Sequence, residues 1–245
     1  MKLTLKRISL IGGSVVLGLV VVALSYWVLT FYHAQDIAVA ALKSDDAITV
    51  ETKKHLTFTP TDVTPDEGFI FYPGGQVDAE AYAPLARDIA SEGYVVVIAQ
   101  MPLNFAMLGV NTADKIIEAH PEIESWSIGG HSLGGVAASR YAAMHEHIEG
   151  LALLASYPAD DALKQSHLAV ASIYGSEDQV INAKNLANSR DLLPSDTTFD
   201  EIAGGNHGQF GDYGAQKGDG QPTISADEQR KQTVTTIVKL LEVTP

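Results

Sequence analysis

Five short runs between Phe69 and Gly175, "FIFY", "YVVVIAQ", "SWSIGG", "LALLASYP" and "LAVASIYG", are apolar or small at most positions. Runs of this length without polar alternation mark strands covered on both faces. The segments around them carry helical spacing: "AEAYAPLARDIASEG" closes on a glycine, "TADKIIEAHP" stops at a proline, and "SLGGVAASRYAAMHEH" and "INAKNLANS" follow. "TTFDEIA" reads as one more strand, and "ADEQRKQTVTTIVKLLEV" as a closing amphipathic helix. Strands alternating with helices predict an α/β fold, a mostly parallel sheet with helices on both faces. Ahead of these, "AITVE" and "HLTFTP" read as two short strands. The link from Pro158 to His167 is about ten residues, too short for a separate lid domain.

The N-terminus predicts a membrane anchor. Lys2, Lys6 and Arg7 precede "ISLIGGSVVLGLVVVALSYWVLTFY", which runs uncharged from Ile8 to Tyr32. That exceeds the ~20 residues needed to span a bilayer as a helix, and the ~7 to 15 of a signal-peptide core. Trp27 and Tyr32 sit where an interfacial belt would place them, and the leading charges favour a cytoplasmic tip. The expectation is a tip and signal anchor over 1–32, a juxtamembrane linker or helix over 33–45, and the α/β domain over 46–245. The protein is then expected in the cell membrane, single-pass, with its domain extracytoplasmic. Secretion after signal cleavage is the alternative.

Within "SWSIGGHSLGGVAAS" stands Gly130-His131-Ser132-Leu133-Gly134, a G-x-S-x-G between an apolar strand and a helical repeat. A serine there is forced onto a tight turn that projects its hydroxyl, and small flanking residues let strand and helix approach. The helix start also offers free N–H groups, above all that of Leu133, to an oxyanion. Serine needs a base, and the base needs orienting. In this architecture the acid and the histidine follow in that order on later loops. Asp178 in "YGSEDQV" supplies the acid, ahead of its neighbour Glu177. His207, set among five glycines in "IAGGNHGQFGDYG", is the single histidine after the last strand and supplies the base. A second oxyanion donor is expected from Gly75 or Gln76 in "FYPGGQVD". His131 reads as structural, and "HEHIE" at a helix end is not a metal motif.

"FYPGGQVDAEAYAPLA", "GGHSLGG", "LLASYPA", "SIYGSEDQV" and "GGNHGQFGDYG" together resemble the α/β-hydrolase family, from about residue 50 to the end. The likeness is to small bacterial membrane-anchored members related to its dienelactone-hydrolase-like branch. The resemblance implies an α/β-hydrolase fold, a triad of Ser132, Asp178 and His207, and an oxyanion hole from the backbone of Leu133 and Gly75. Dienelactone hydrolases proper use a cysteine, and this chain has none, so the expected nucleophile is serine. No cofactor is expected, since neither GxGxxG nor GxxxxGK[ST] occurs. The formal charge of -14, with no basic cluster beyond the first seven residues, argues against nucleic acid as a partner. The expected function is serine hydrolysis of a small-molecule or lipid-like carboxylic ester. Peptidase, amidase or thioesterase action on the same triad, and a non-catalytic binding module of the cell envelope, are the alternatives. The membrane is an expected partner through the N-terminal helix, and oligomeric state is left open.

Overall fold

The computed structural model describes residues 5–244, the side chains of 5–12 excepted. Two compact units are present, residues 1–31 and residues 32–245. The first holds helix α1 (Leu5–Leu29), whose apolar side chains from Val15 to Leu29 are mostly exposed. Among the described residues, no helix is long and apolar enough to cross a membrane. This overturns the expected transmembrane anchor. The single-pass membrane location and the membrane as a partner fall with it. Lys2, Lys6 and Arg7, which carried the expected orientation, lie outside the described side chains.

In the second unit, α2 (Asp36–Ala41) is followed by eight strands in one sheet, among the described residues. They are β1 (Ile48–Glu51), β2 (Leu56–Pro60), β3 (Glu67–Tyr72), β4 (Val95–Ile98), β5 (Ser125–His131), β6 (Ile148–Leu154), β7 (Ala169–Gly175) and β8 (Thr198–Ile202). Their spatial order is β1-β2-β4-β3-β5-β6-β7-β8. β2 runs antiparallel to β1 and β4, and all other pairings are parallel. The sheet is thus mixed, with its antiparallel pair confined to one edge, and no separate lid domain interrupts it.

Strand periodicity divides the core into two layers. Phe69, Phe71, Val96 and Ile98 face one layer, with Leu85 and Ile89 of α3 (Ala83–Ala90) and Ile237 and Leu241 of α7 (Ala226–Leu241). Ile70, Tyr72, Val95 and Val97 face the other, with Ile116 of α4 (Thr112–Ala119) and Ala137, Ala138 and Tyr141 of α5 (Leu133–Ala142). Successive strand residues point to opposite faces, so burial of both faces requires the unbroken apolar runs of the sequence. α7 starts at an N-cap: the hydroxyl of Ser225 accepts from the N–H of Glu228 at 3.1 Å.

The strand order matters for function. After β3 the chain crosses to β4 on one side, then returns past β3 to β5 on the other. The carboxyl ends of β3 and β5 therefore flank a topological switch point, where open α/β sheets form their ligand crevice.

Candidate active site

Ser132 stands at this switch point, between the end of β5 and the first turn of α5. Its backbone is at φ 52°, ψ −121°, a region that non-glycine residues occupy at a cost of roughly 1–3 kcal/mol and that clusters at functional sites. Four contacts hold the turn. The N–H of Ser132 donates to the carbonyl of Leu154 at 2.9 Å, and its carbonyl accepts from Gly135 N–H at 3.0 Å and Val136 N–H at 3.3 Å. The buried hydroxyl of Ser156, just past β6, donates to the same carbonyl at 2.7 Å. Gly134 packs against the carbonyl of Tyr72, where any Cβ would collide with backbone.

Asp178 and His207 come from the loops after β7 and β8, and the structure brings them together. Nδ1 of His207 lies 2.8 Å from Oδ2 of Asp178, and the two side chains are 2% and 1% exposed. The other oxygen of Asp178 accepts the N–H groups of Val180 and Ile181 at 2.8 and 2.9 Å, so the carboxylate is aimed from both ends. Glu177 does not compete for the histidine; its carboxylate accepts from the hydroxyl of Ser176. With a carboxylate on Nδ1, the proton of a neutral His207 sits on Nδ1 and Nε2 is an acceptor. Nε2 is buried and has no hydrogen-bond partner among the described residues, so Ser132 and His207 are not joined by a hydrogen bond here. The His207 ring packs against that of His131, the residue before Ser132, with ring centroids 4.4 Å apart.

The glycines around His207 are packed rather than mobile. Gly204 is at φ +79°, and a Cβ there would strike Thr223. Gln229 of α7, fully buried, clamps the next residue but one: its Oε1 accepts the N–H of Asn206 at 2.9 Å and its Nε2 donates to the Asn206 carbonyl at 2.8 Å. Asn206 in turn donates to the carbonyl of Gly220 and accepts from Gln209 N–H. Asp219 accepts Gly208 N–H at 2.8 Å with one oxygen and Gln179 N–H at 3.3 Å with the other. It thereby ties the histidine loop to the acid loop.

The loop after β3 approaches the serine from the other side. A Cβ on Gly75 would lie 3.2 Å from the Leu133 side chain, so Gly75 and Leu133 face one another. The N–H of Gln76 is taken by the carbonyl of Asn104 at 2.9 Å. The N–H of Gly75 has no partner among the described residues, and that of Leu133, in the first turn of α5, has no intrahelical one. Of the two expected residues, Gly75 is the one whose donor is available.

Tyr82, which the sequence did not single out, joins these parts. Gly74 N–H donates to the Tyr82 oxygen at 3.0 Å, and the same oxygen is hydrogen-bonded to Nδ1 of His131 at 2.8 Å. Burial pushes the His131 ring well below the usual histidine pKa, and the neighbouring His207 adds to this, so His131 is neutral near pH 7. Burial also pushes the Tyr82 hydroxyl far above its usual range. Neither group places a charge beside His207. Tyr82, Ser156, Gln229 and Asp219 carry no local sequence pattern, being isolated residues whose partners are distant in the chain.

Comparison with known proteins supports the fold and widens the family assignment. A family model described as the alpha/beta hydrolase family matches residues 68–231. No curated protein sequence matches the chain. Among solved structures, it is similar to a predicted CIB-like hydrolase from Thermoplasma acidophilum (14% identity, TM-score 0.58, covering 79% of this chain and 99% of that one). It is also similar to the esterase domain of a Rhodothermus marinus protein (14%, 0.56, covering 74% and 89%). Est1E from Butyrivibrio proteoclasticus is a third (10%, 0.59, covering 80% and 100%). At these identities the likeness is one of fold. The expected placement in a membrane-anchored, dienelactone-hydrolase-like branch is corrected accordingly: the match is to the broad family, and no described helix is long and apolar enough to be an anchor. With the family model covering well over half of the chain, the protein belongs to the alpha/beta hydrolase family.

Proposed function

We propose that the protein is a serine hydrolase that cleaves carboxylic esters through Ser132, His207 and Asp178. The observation that carries this reading is the His207 ring. Asp178 holds its Nδ1, its Nε2 is buried and unpaired, and its ring packs on that of His131, the residue before a serine on a strained turn. A buried acceptor without a partner costs about 1–3 kcal/mol, which a chain keeps where a proton must be received. Serine–histidine contacts of this kind are often long in the absence of substrate and tighten in the Michaelis or transition-state complex.

In the proposed mechanism, Nε2 takes the Ser132 proton as Oγ attacks the ester carbonyl. The resulting oxyanion is held by the N–H groups of Leu133 and Gly75. The imidazolium gives its proton to the departing alcohol, leaving an acyl-serine. Water then attacks the acyl group, with Nε2 again taking the proton, and Ser132 is restored. Asp178 keeps the ring in the tautomer that frees Nε2 and stabilises the imidazolium.

A fluorophosphonate probe should label the folded protein at Ser132, and the label should vanish in Ser132→Ala. Short p-nitrophenyl esters should be turned over, with kcat falling by at least ~10^4 in the same variant. Absence of labelling on folded protein would sink the enzyme reading. Faster turnover of peptide amides than of esters would sink the esterase reading alone.

A further inference from the structure

On the outer side of α5 lies a cavity of about 410 Å³. Val136, Ala143 and Met144 form its floor, Met107 from the segment after β4 one wall, and Pro158 and Leu163 from the segment after β6 the other. Both wall segments leave the sheet at the carboxyl ends of their strands, the edge where Ser132 sits. Ser132 caps the same helix, and Val136, the lining residue nearest to it in the chain, is four residues further on. The cavity thus begins one turn from the serine and follows the helix to Ala143, ~16 Å from Ser132 at 1.5 Å per residue.

Its chemistry points to an alkyl chain. Met144 is 53% exposed, so part of the apolar lining is surface that the core does not use. Methionines on such a surface adapt to variable chains. The charged lining consists of Arg140 and Asp160, one of each sign, which offers no net attraction to an ionised group. A charged substrate tail is therefore not what the groove selects.

We propose that this groove receives the acyl chain of the substrate, making the protein a medium-chain rather than an acetyl esterase. The inference rests on the serine-esterase reading above and adds the substrate class to it. Each methylene buried should raise kcat/KM by about fourfold at most, until the chain reaches the far end of the groove.

The test is a series of p-nitrophenyl acetate, butyrate, hexanoate, octanoate and decanoate, on wild type, Val136→Trp and Met144→Glu. Wild type should favour octanoate over acetate by at least tenfold. Val136→Trp plugs the near end and should lower that octanoate-to-acetate ratio at least tenfold. Met144→Glu, at an exposed position where folding is not at risk, should lower the decanoate-to-hexanoate ratio by about fivefold. A wild-type profile led by acetate, or ratios that neither variant moves, would overturn the groove while leaving an active Ser132 intact. If no ester of any length is hydrolysed and a fluorophosphonate leaves Ser132 unlabelled, the ester reading itself fails, and the groove assignment with it.

Discussion

Tyr82 and His131 show how a single hydroxyl can set the geometry of two loops. The Tyr82 oxygen accepts from Gly74 in the loop after β3 and is hydrogen-bonded to His131 at the serine turn. Tyr82→Phe leaves Gly74 N–H and His131 Nδ1 unpaired in a fully buried place, which should cost roughly 2–4 kcal/mol in urea unfolding. If the pair positions the oxyanion donors, kcat should fall about tenfold with little change in KM, because such donors act on the transition state. A loss of stability with unchanged kcat would assign Tyr82 to packing alone. His131 makes a second, independent prediction. Its folded pKa lies well below that of the unfolded chain, ~6.5. The unfolded state therefore binds the proton first, and the stabilisation is complete above pH ~6.5 and lost as pH falls toward the folded value. Over that window His131 should contribute a slope of ~1.4 kcal/mol per pH unit. Unfolding free energies at pH 7.5, 6.5 and 5.5 should show a shallower decline in His131→Asn than in wild type. Equal slopes would refute the linkage.

At the level of elements, the regular parts were the most legible. Continuous apolar runs mark β3 to β7 because a strand buried on both faces has no polar position to display, and Phe69 to Tyr72 show this residue by residue. The serine turn was legible because it joins two such signals within a G-x-S-x-G. The antiparallel β1–β2 edge was legible as two strands but not as to direction, which depends on pairing with β4. The character of the loop carrying His207 is not legible in the sequence. Its glycines suggest freedom of movement, whereas Gly204 is held at positive φ against Thr223, and Gln229 of α7 grips the backbone of Asn206. No spacing rule connects Gln229 to a residue 23 positions earlier, so this clamp could be found only in three dimensions. The N-terminal run shows the opposite error: apolar length suggested an anchor, yet no described helix is long and apolar enough to cross a membrane. Gln229→Ala removes both bonds to Asn206 and strands a buried N–H and carbonyl. It should lower kcat by about tenfold through loss of His207 placement, with Gln229→Glu, which keeps one acceptor, recovering part of it. Equal effects of the two substitutions would point to a cavity rather than a clamp.

On the scale of the whole molecule, the site depends on a segment that precedes the sheet. Tyr32 to Leu42 belongs to the unit that contains the sheet, and Tyr32, Ala34, Ala41 and Leu42 pack on its core. The backbone of Tyr32 donates to Gln76 at 2.8 Å and accepts from Asp78 at 3.0 Å, while Gln35 N–H donates to the carbonyl of Asp212 at 2.9 Å. Ala38, fully buried, donates to the Asp212 carboxylate at 2.7 Å. The segment thus bridges the loop after β3, which carries Gly75, and the loop after β8, which carries His207. Residues 32–245 form a compact unit of their own. A chain beginning at Tyr32 should therefore unfold in one cooperative step with a melting temperature within ~2 °C of the full-length value and with unchanged kcat on p-nitrophenyl butyrate. A chain beginning at Ser44 loses these four hydrogen bonds and the packing of α2. At roughly 0.5–1.5 kcal/mol per bond and 2–4 °C per kcal/mol for a domain of this size, its melting temperature should drop by about 5–20 °C. Its kcat should fall more than its stability alone explains, since both site loops are released together. Calorimetry and turnover on the two truncated chains decide the matter: if removal up to Ser44 leaves kcat unchanged at a temperature where the chain is folded, the segment is a surface strap without influence on the site.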